Sequence, residues 1–307
     1  MEKATVSVSP WITAMRLRTL PLALSSILMG TFLASHSGSF NLPVFLLCIT
    51  TTIFLQVLSN LANDYGDYVN GADSTNRKGP ERMVHTGKIS PQAMKSAIVV
   101  FTLLSLASGI LLLSISLGVT LQSLGTFLFF FITGLLSIGA AIKYTMGKNP
   151  YGYAGLGDIS VFIFFGIVGV AGSYYLYKLS IDPVILLPAF ACGFFSAAVL
   201  NVNNIRDIDS DKEAGKRSIP VRLGPFKARV YHVFLLSSGF ISAMVFTIIN
   251  YTHPLQFLFL ISLPLLIINA VKVCKLSTAQ ELDPYLKQMA LTTLLFVITF
   301  GIGLLLA

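Results

Sequence analysis

Polar side chains that could bind a metal ion appear abruptly at the end of the second apolar run of the chain. Five amides and carboxylates recur there at steps of three and four residues: Gln56, Asn60, Asn63, Asp64 and Asp67. A helix that continues out of the apolar run would carry most of them on one face. Because amide and carboxylate oxygens are ligands for hard cations, this face predicts a metal site.

The same site is expected to draw on the loop that follows. Gly71 is predicted to end the helix. Asp73 would then lie on the loop, and it reaches the ion only if the loop of residues 63–94 folds back as a cap.

A second acidic stretch repeats this arrangement. Asn203, Asp207 and Asp211 are spaced four and four, so they also share a helical face. Each acidic stretch is followed by a Gly, a basic cluster and a Pro, and four apolar spans separate the two. We therefore predict a parallel internal repeat, spans one to four and five to eight, within a single membrane-embedded domain of residues 1–307. Both halves would contribute carboxylates to one cavity.

Basic residues surround both stretches. Clustered carboxylates repel one another unless a cation is present, and magnesium usually shares its ligands with phosphate groups. Most of these lysines and arginines, taken singly, mark membrane topology, but guanidinium and ammonium groups beside magnesium also bind phosphate. The residues predicted to bind a diphosphate are Arg77, Arg82, Lys143, Lys148, Arg206 and Lys212. A diphosphate head at the mouth of an apolar cavity describes a polyprenyl diphosphate.

The composition predicts an all-α integral membrane protein. Hydrophobic residues make up 54% of the 307 residues and charged residues only 11%. Apolar stretches of about 20 residues, enough to cross a bilayer, predict nine transmembrane helices around a central cavity. They lie near 19–36, 41–62, 95–116, 121–142, 155–177, 183–204, 229–250, 254–272 and 288–307.

The distribution of basic residues predicts the orientation. Every Lys and Arg except Lys178 falls on one side of the predicted membrane. By the positive-inside rule the N terminus and the acidic stretches are cytoplasmic and the C terminus is outside. The first helix resembles a secretory signal, but we predict that it is retained. The net charge of +8 thus reports topology, and no nucleic-acid motif accompanies it.

The two aspartate stretches resemble those of the UbiA-type superfamily of intramembrane aromatic prenyltransferases. The matching phrases are Asn63-Asp64-Tyr65-Gly66-Asp67 with Asp73, and Asp207-Ile208-Asp209-Ser210-Asp211. The resemblance implies Mg²⁺ as cofactor and polyprenyl transfer to an aromatic acceptor. It implies metal binding by Asn63, Asp64, Asp67, Asp73, Asn203, Asp207 and Asp211, with Asp67, Asp73, Asp207 and Asp211 as the catalytic carboxylates.

Within that superfamily, the sequence looks most like the 1,4-dihydroxy-2-naphthoate polyprenyltransferases of menaquinone synthesis. The finer match rests on TLP at 19–21, NDYGDYVNGAD at 63–73, PYGYAGLGD at 150–158 and NNIRDIDSDKEAGKRSIPVRLG at 203–224. It implies release of diphosphate and CO₂ to give demethylmenaquinol at the inner membrane. The residues expected to orient the acceptor or substrate are Arg16, Asn60, Tyr144 and Asp158. Leu17 stands where the family often has Pro, which bears on the role of Arg16.

Two other functions remain open on the sequence. Relatives that use another acceptor, such as 4-hydroxybenzoate, share the metal site. A cation-coupled membrane transporter could also line its path with Asp and Asn. Its charges would lie along the middle of the spans, however, whereas here they cluster at span ends.

Overall fold

A computed structural model describes residues 8–71, 81–276 and 278–307. Within these ranges the chain is helical and contains no strand. Nine described helices are long and apolar enough to cross a membrane, as the sequence predicts. They are α1 Ser9–His36, α2 Leu42–Val69, α3 Pro91–Leu117, α4 Leu124–Lys143, α5 Gly157–Lys178, α6 Pro183–Arg206, α7 Ile219–Ile249, α8 Pro254–Lys275 and α9 Ala279–Leu305.

Helix α1 is broken near its start. The α-helix of Val8–Met15 ends before Arg16, which adopts the left-handed conformation with φ of 49°. A short 3-10 helix, Leu17–Thr19, follows, and the α-helix resumes at Leu20. Residues other than Gly rarely adopt this backbone conformation. The amide of Asn60 on α2 secures the break by donating to the Met15 carbonyl at 2.9 Å and to the Thr19 hydroxyl at 3.0 Å.

Besides α1, which begins at Ser9 instead of 19, two helices begin well before the apolar windows that predicted them. The sequence analysis placed the start of α9 near 288, but α9 begins at Ala279. Thr278 caps it, because its side chain accepts from the Glu281 amide while the Glu281 carboxylate accepts from the Thr278 amide. Helix α7 begins at Ile219 instead of 229 and is kinked at Gly224, before Pro225. Both additions are polar or Pro-rich first turns that a hydropathy window does not register.

One buried cluster draws mainly on α1, α5, α6, α7 and α9, and glycines allow some of these helices to approach closely. A Cβ on Gly166 of α5 would lie 2.7 Å from the Ala189 carbonyl of α6. On Gly30 of α1 it would collide with Ser173 and lie 2.6 Å from the Val170 carbonyl. Small residues at such crossings are how membrane helices pack without a hydrophobic driving force. Residues 162–172 of α5 are π-helical.

The α4–α5 connection, residues 144–156, contacts two parts of the chain that lie far apart in sequence. On one side Gly66 of α2 lets Thr145 approach, and the Thr145 hydroxyl donates to the Ala62 carbonyl at 3.1 Å. On the other side the Tyr153 carbonyl accepts from the Arg217 amide at 2.8 Å. Gly155 has φ of +80° and packs against the Arg217 carbonyl, so a larger residue would be both strained and crowded. The connection therefore links the end of α2 to the segment between α6 and α7.

Candidate active site

A cavity of about 500 Å³ runs between the helices and is polar at one end. Its polar end combines residues from both acidic stretches: Asn60, Asn63, Asp67, Asn203, Arg206, Asp207 and Asp211. Its remaining walls are mostly apolar and include Leu55, Leu106, Phe131 and Phe164. The lining on α2 extends from Asp67 back to Cys48, about 28 Å at the helical rise. The cavity therefore has a charged head and a long apolar arm.

Asp67 is the centre of the first acidic stretch. It is 2% exposed and forms an ion pair with Arg82. Its Oδ1 also accepts from the Tyr153 hydroxyl at 2.8 Å and lies 3.4 Å from the Lys216 ammonium. Three separate segments thus converge on one buried carboxylate.

Asp207 is the centre of the second stretch, and its partner is the neighbouring Arg206. The guanidinium donates to both carboxylate oxygens, at 2.8 and 2.7 Å, in the two-pronged geometry that favours such pairs. Arg206 also donates to Asn203 Oδ1 at 2.8 Å and to Asp283 Oδ1 at 2.5 Å. Arg206, which the sequence predicts to bind diphosphate, therefore neutralises the acidic groups beside it.

Lys216 links the two stretches. Its ammonium lies 3.4 Å from Asp67 Oδ1 and 3.3 Å from Asp211 Oδ1, and it also lies over the Tyr153 ring. Burial raises the pKa of Asp211, and the charge of Lys216 opposes that shift. The two halves of the predicted repeat thus meet at one ammonium group.

Asp64 has a different environment from the one expected of a metal ligand. It is completely buried, it does not line the cavity, and its two oxygens accept from the backbone amides of Met83 and Val84 at 2.9 and 3.1 Å. Its carboxylate holds the segment that begins at Glu81 against α2. This segment carries Arg82 to Asp67.

The structure brings only part of the predicted basic set to the cavity. Arg82 and Arg206 line it, whereas Lys143, Lys148 and Lys212 are exposed and do not. Asp73 and Arg77 lie outside the described residues, so their predicted roles are not addressed. The residues at the polar end that the sequence analysis did not select are Tyr153, Lys216, Asp283 and Lys287.

Two of these residues could have been selected from their spacing in the sequence. Asp283 and Lys287 are spaced four apart in the part of α9 that precedes the span predicted to begin near 288. Lys216 comes five residues after Asp211 and directly after Gly215. Nothing in the sequence pattern indicates that Lys216 reaches the site while the nearby Lys212 is exposed. Only the turn at Gly215, where φ is 73°, returns its side chain to the carboxylates.

The residues expected to orient the acceptor line the same cavity. Tyr144 fits between Gly152 and Gly157, where a Cβ on Gly157 would lie 2.9 Å from the Tyr144 hydroxyl. Burial and the nearby Asp158 carboxylate raise the pKa of Tyr144, so its hydroxyl stays protonated. Asp158 is 3% exposed, and its Oδ1 has no hydrogen-bond partner among the described residues. Arg16 also lines the cavity, at the break in α1.

Residues 23–294 match the model of the UbiA prenyltransferase family. The chain belongs to this family. The match includes both acidic stretches and at least part of each of the nine described membrane helices.

Two relatives carry the same name. A 1,4-dihydroxy-2-naphthoate octaprenyltransferase of Haemophilus influenzae is 45% identical over 96% of this chain and 95% of its own length. Its counterpart of Escherichia coli is 43% identical over 97% of this chain and 96% of its own length. A UbiA homologue from Archaeoglobus fulgidus, solved with GPP and Mg²⁺, has a TM-score of 0.62 at 17% identity and covers 97% of this chain and 100% of its own. That likeness establishes the UbiA fold.

The polar end of the UbiA cavity has the donor chemistry that magnesium prefers. Its acidic and amide oxygens come from Asn63, Asp67, Asn203, Asp207 and Asp211, and hard divalent ions select such oxygens. Among the described residues, no three acidic, His or Cys side chains are already grouped around a common point. The pairing described above accounts for this, because each carboxylate is drawn to a basic partner. The oxygen donors at the polar end are thus of the type that binds magnesium, and basic side chains neutralise the carboxylates among them.

Proposed function

We propose that this protein transfers a polyprenyl group from polyprenyl diphosphate to 1,4-dihydroxy-2-naphthoate, releasing diphosphate and CO₂ and giving demethylmenaquinol. The observation that carries the proposal is the identity of 45% and 43%, over nearly the full chain, to two enzymes named for this acceptor.

The shape of the cavity supports a donor with a charged head and an apolar tail. The diphosphate would occupy the polar end, within reach of Arg82, Arg206 and Lys216. The hydrocarbon would lie along the apolar arm, where burial of apolar surface contributes about 25 cal/mol per Å². A transporter would need charged or polar groups along its whole path. Here the acidic groups are confined to one end.

Departure of the diphosphate is the step that the polar end favours. Magnesium, held by Asn63, Asp67, Asn203, Asp207 and Asp211, would supply positive charge that stabilises the leaving group. Arg82, Arg206 and Lys216 add donors that are already positioned at this end, so little reorganisation is needed as charge develops. The apolar walls exclude water, and this protects the allylic cation from hydrolysis.

The acceptor would bind where the polar end meets the apolar arm. Tyr144 is a protonated donor for an acceptor oxygen, and Asp158 offers a carboxylate oxygen with no described partner to a ring hydroxyl. The ring carbon that bears the carboxylate would then attack the allylic carbon and form the new carbon–carbon bond. The bond from that ring carbon to the carboxylate would break, which releases CO₂ and restores the aromatic ring. Arg16 and Asn60 line the same cavity, at the break in α1.

A competition between acceptors tests the proposal. Purified protein with magnesium and octaprenyl diphosphate is given equal amounts of 1,4-dihydroxy-2-naphthoate and 4-hydroxybenzoate, and products are separated by chromatography. We expect prenylated naphthoquinol, with CO₂ released in equal amount. Product from 4-hydroxybenzoate alone would refute the acceptor assignment and leave the prenyltransferase fold intact.

We also propose the membrane arrangement. The protein is a multi-pass membrane protein of the inner membrane, with the polar end of its cavity opening toward the cytoplasm. The excess of Lys and Arg in the connections on that side supports this orientation.

A further inference from the structure

Three glycines on three different helices line the apolar arm of the cavity: Gly109 on α3, Gly134 on α4 and Gly172 on α5. All three lie away from the charged end. Gly134 lies about 15 Å of helical rise before Tyr144, the residue that follows the end of α4. Thr51, the neighbour of Gly109, precedes Asp67 on α2 by about 24 Å.

These glycines face open space. A Cβ on Gly134 would meet no atom within 4 Å, and one on Gly109 would meet only Thr51 Cγ2, at 4.0 Å. A Cβ on Gly172 would make ordinary contacts, at 3.7 Å to Phe130 Cε1 and 3.9 Å to Val168 Cγ1. None of the three is needed to let another helix approach.

The contrast with a neighbouring glycine is direct. Gly169 also lies on α5 and lines the cavity, but a Cβ there would lie 2.8 Å from Ser26 Cβ of α1. Gly169 is thus explained by helix packing. Glycine inside a helix is less stable than alanine, and no such packing reason accounts for Gly109, Gly134 or Gly172. What their missing side chains preserve is the volume of the apolar arm.

We propose that Gly109, Gly134 and Gly172 set the length of prenyl chain that the protein accepts, by keeping the apolar arm wide enough for a long donor. The inference rests on the proposed prenyl transfer. A short donor keeps its diphosphate and first isoprene units near the charged end and does not reach these positions. A long donor must pass them, so an added side chain there excludes the long donor selectively.

Leucine substitutions test this assignment. The variants Gly134→Leu and Gly109→Leu are compared with the unaltered protein for kcat/KM toward geranyl diphosphate and octaprenyl diphosphate, with the same acceptor. We expect the octaprenyl-to-geranyl ratio to fall by about tenfold or more, which is the scale of steric discrimination in apolar pockets. The matched control is Gly139→Leu, on the same helix as Gly134. Its Cβ would also meet nothing within 4 Å, but the residue does not line the cavity. Its ratio should not change.

An unchanged ratio in both Gly134→Leu and Gly109→Leu, with normal turnover of geranyl diphosphate, would overturn the proposal. Where a leucine variant loses both donors, Gly134→Ala decides. One methyl group in this open space should lower the ratio in the same direction, and no change would overturn the proposal. Failure of the proposed function is distinguishable, since the unaltered protein would then prenylate the acceptor from neither donor.

Discussion

At the scale of single residues, Asp64 and Asp67 show how neighbouring carboxylates acquire separate tasks. Both are buried on α2, three residues apart. Asp67 lines the cavity among Arg82, Tyr153 and Lys216, whereas the oxygens of Asp64 are occupied by two backbone amides. Substitution of the first should therefore affect turnover and substitution of the second should affect folding.

Asp67→Asn and Asp207→Asn are each expected to lower kcat by about a hundredfold to a thousandfold, because each removes a charge that holds the cation beside the leaving group. Magnesium-dependent prenyl transfer by protein that remains monodisperse in detergent measures this. Asp209→Asn is the matched control, since Asp209 belongs to the same acidic stretch but is exposed and does not line the cavity. Full activity of either cavity variant would contradict the two-stretch site.

Asp64→Ala is expected to lower the thermal midpoint of unfolding. It leaves the amides of Met83 and Val84 buried without their acceptor, and each unsatisfied group costs about 1–3 kcal/mol. Thermal unfolding in detergent checks this against Glu213→Ala, which removes an exposed carboxylate. An unchanged midpoint for Asp64→Ala would show that the segment beginning at Glu81 is held by other contacts.

The individual acidic residues were predictable from the sequence, but their partners were not. The four-residue spacing placed Asp67, Asp207 and Asp211 on helical faces, and all three line one cavity. Tyr153 and Asp283 reach that cavity from connections and helices far away along the chain. Such contacts depend on how helices pack, and local periodicity carries no information about them.

At the scale of elements, the nine spans follow from hydropathy, while their ends follow from local chemistry. The early start of α9 follows from the Thr278–Glu281 capping box, and the kink of α7 follows from Gly224-Pro225. The α4–α5 connection has the greatest effect on the site, because it carries Tyr153 and Tyr144 and rests on Gly66.

Gly66→Ala is expected to lower kcat by about a hundredfold, the cost of a displacement of roughly 1 Å in a reacting group. A Cβ on Gly66 would press on Thr145, lying 2.7 Å from its carbonyl carbon, and would move the connection away from α2. Turnover is compared with that of Gly125→Ala, whose added methyl meets nothing within 4 Å. Equal activity of the two variants would show that the position of the connection does not govern the site.

At the scale of the whole molecule, the distribution of charge predicts which way the protein faces. Lys148 lies in the α4–α5 connection and Lys178 at the other end of α5, and both side chains are exposed. In a Cys274→Ser background, which removes the exposed native thiol, cysteine substituted at each position should react with a membrane-impermeant maleimide from opposite sides. Lys148→Cys should label in inverted vesicles and Lys178→Cys in intact spheroplasts, since the positive-inside rule makes the first side cytoplasmic. The reverse pattern would overturn the orientation and leave the fold unchanged.

The position of Lys216 has a consequence for ligand binding under the proposed function. Its ammonium lies between Asp67 and Asp211, one carboxylate from each acidic stretch. A diphosphate bound nearby would draw the ammonium toward itself, and the two carboxylates would then become available to metal. Metal affinity and diphosphate affinity should therefore rise together, each by the same factor in the presence of the other. An enzyme built in this way discriminates against free divalent ions until its donor substrate is present.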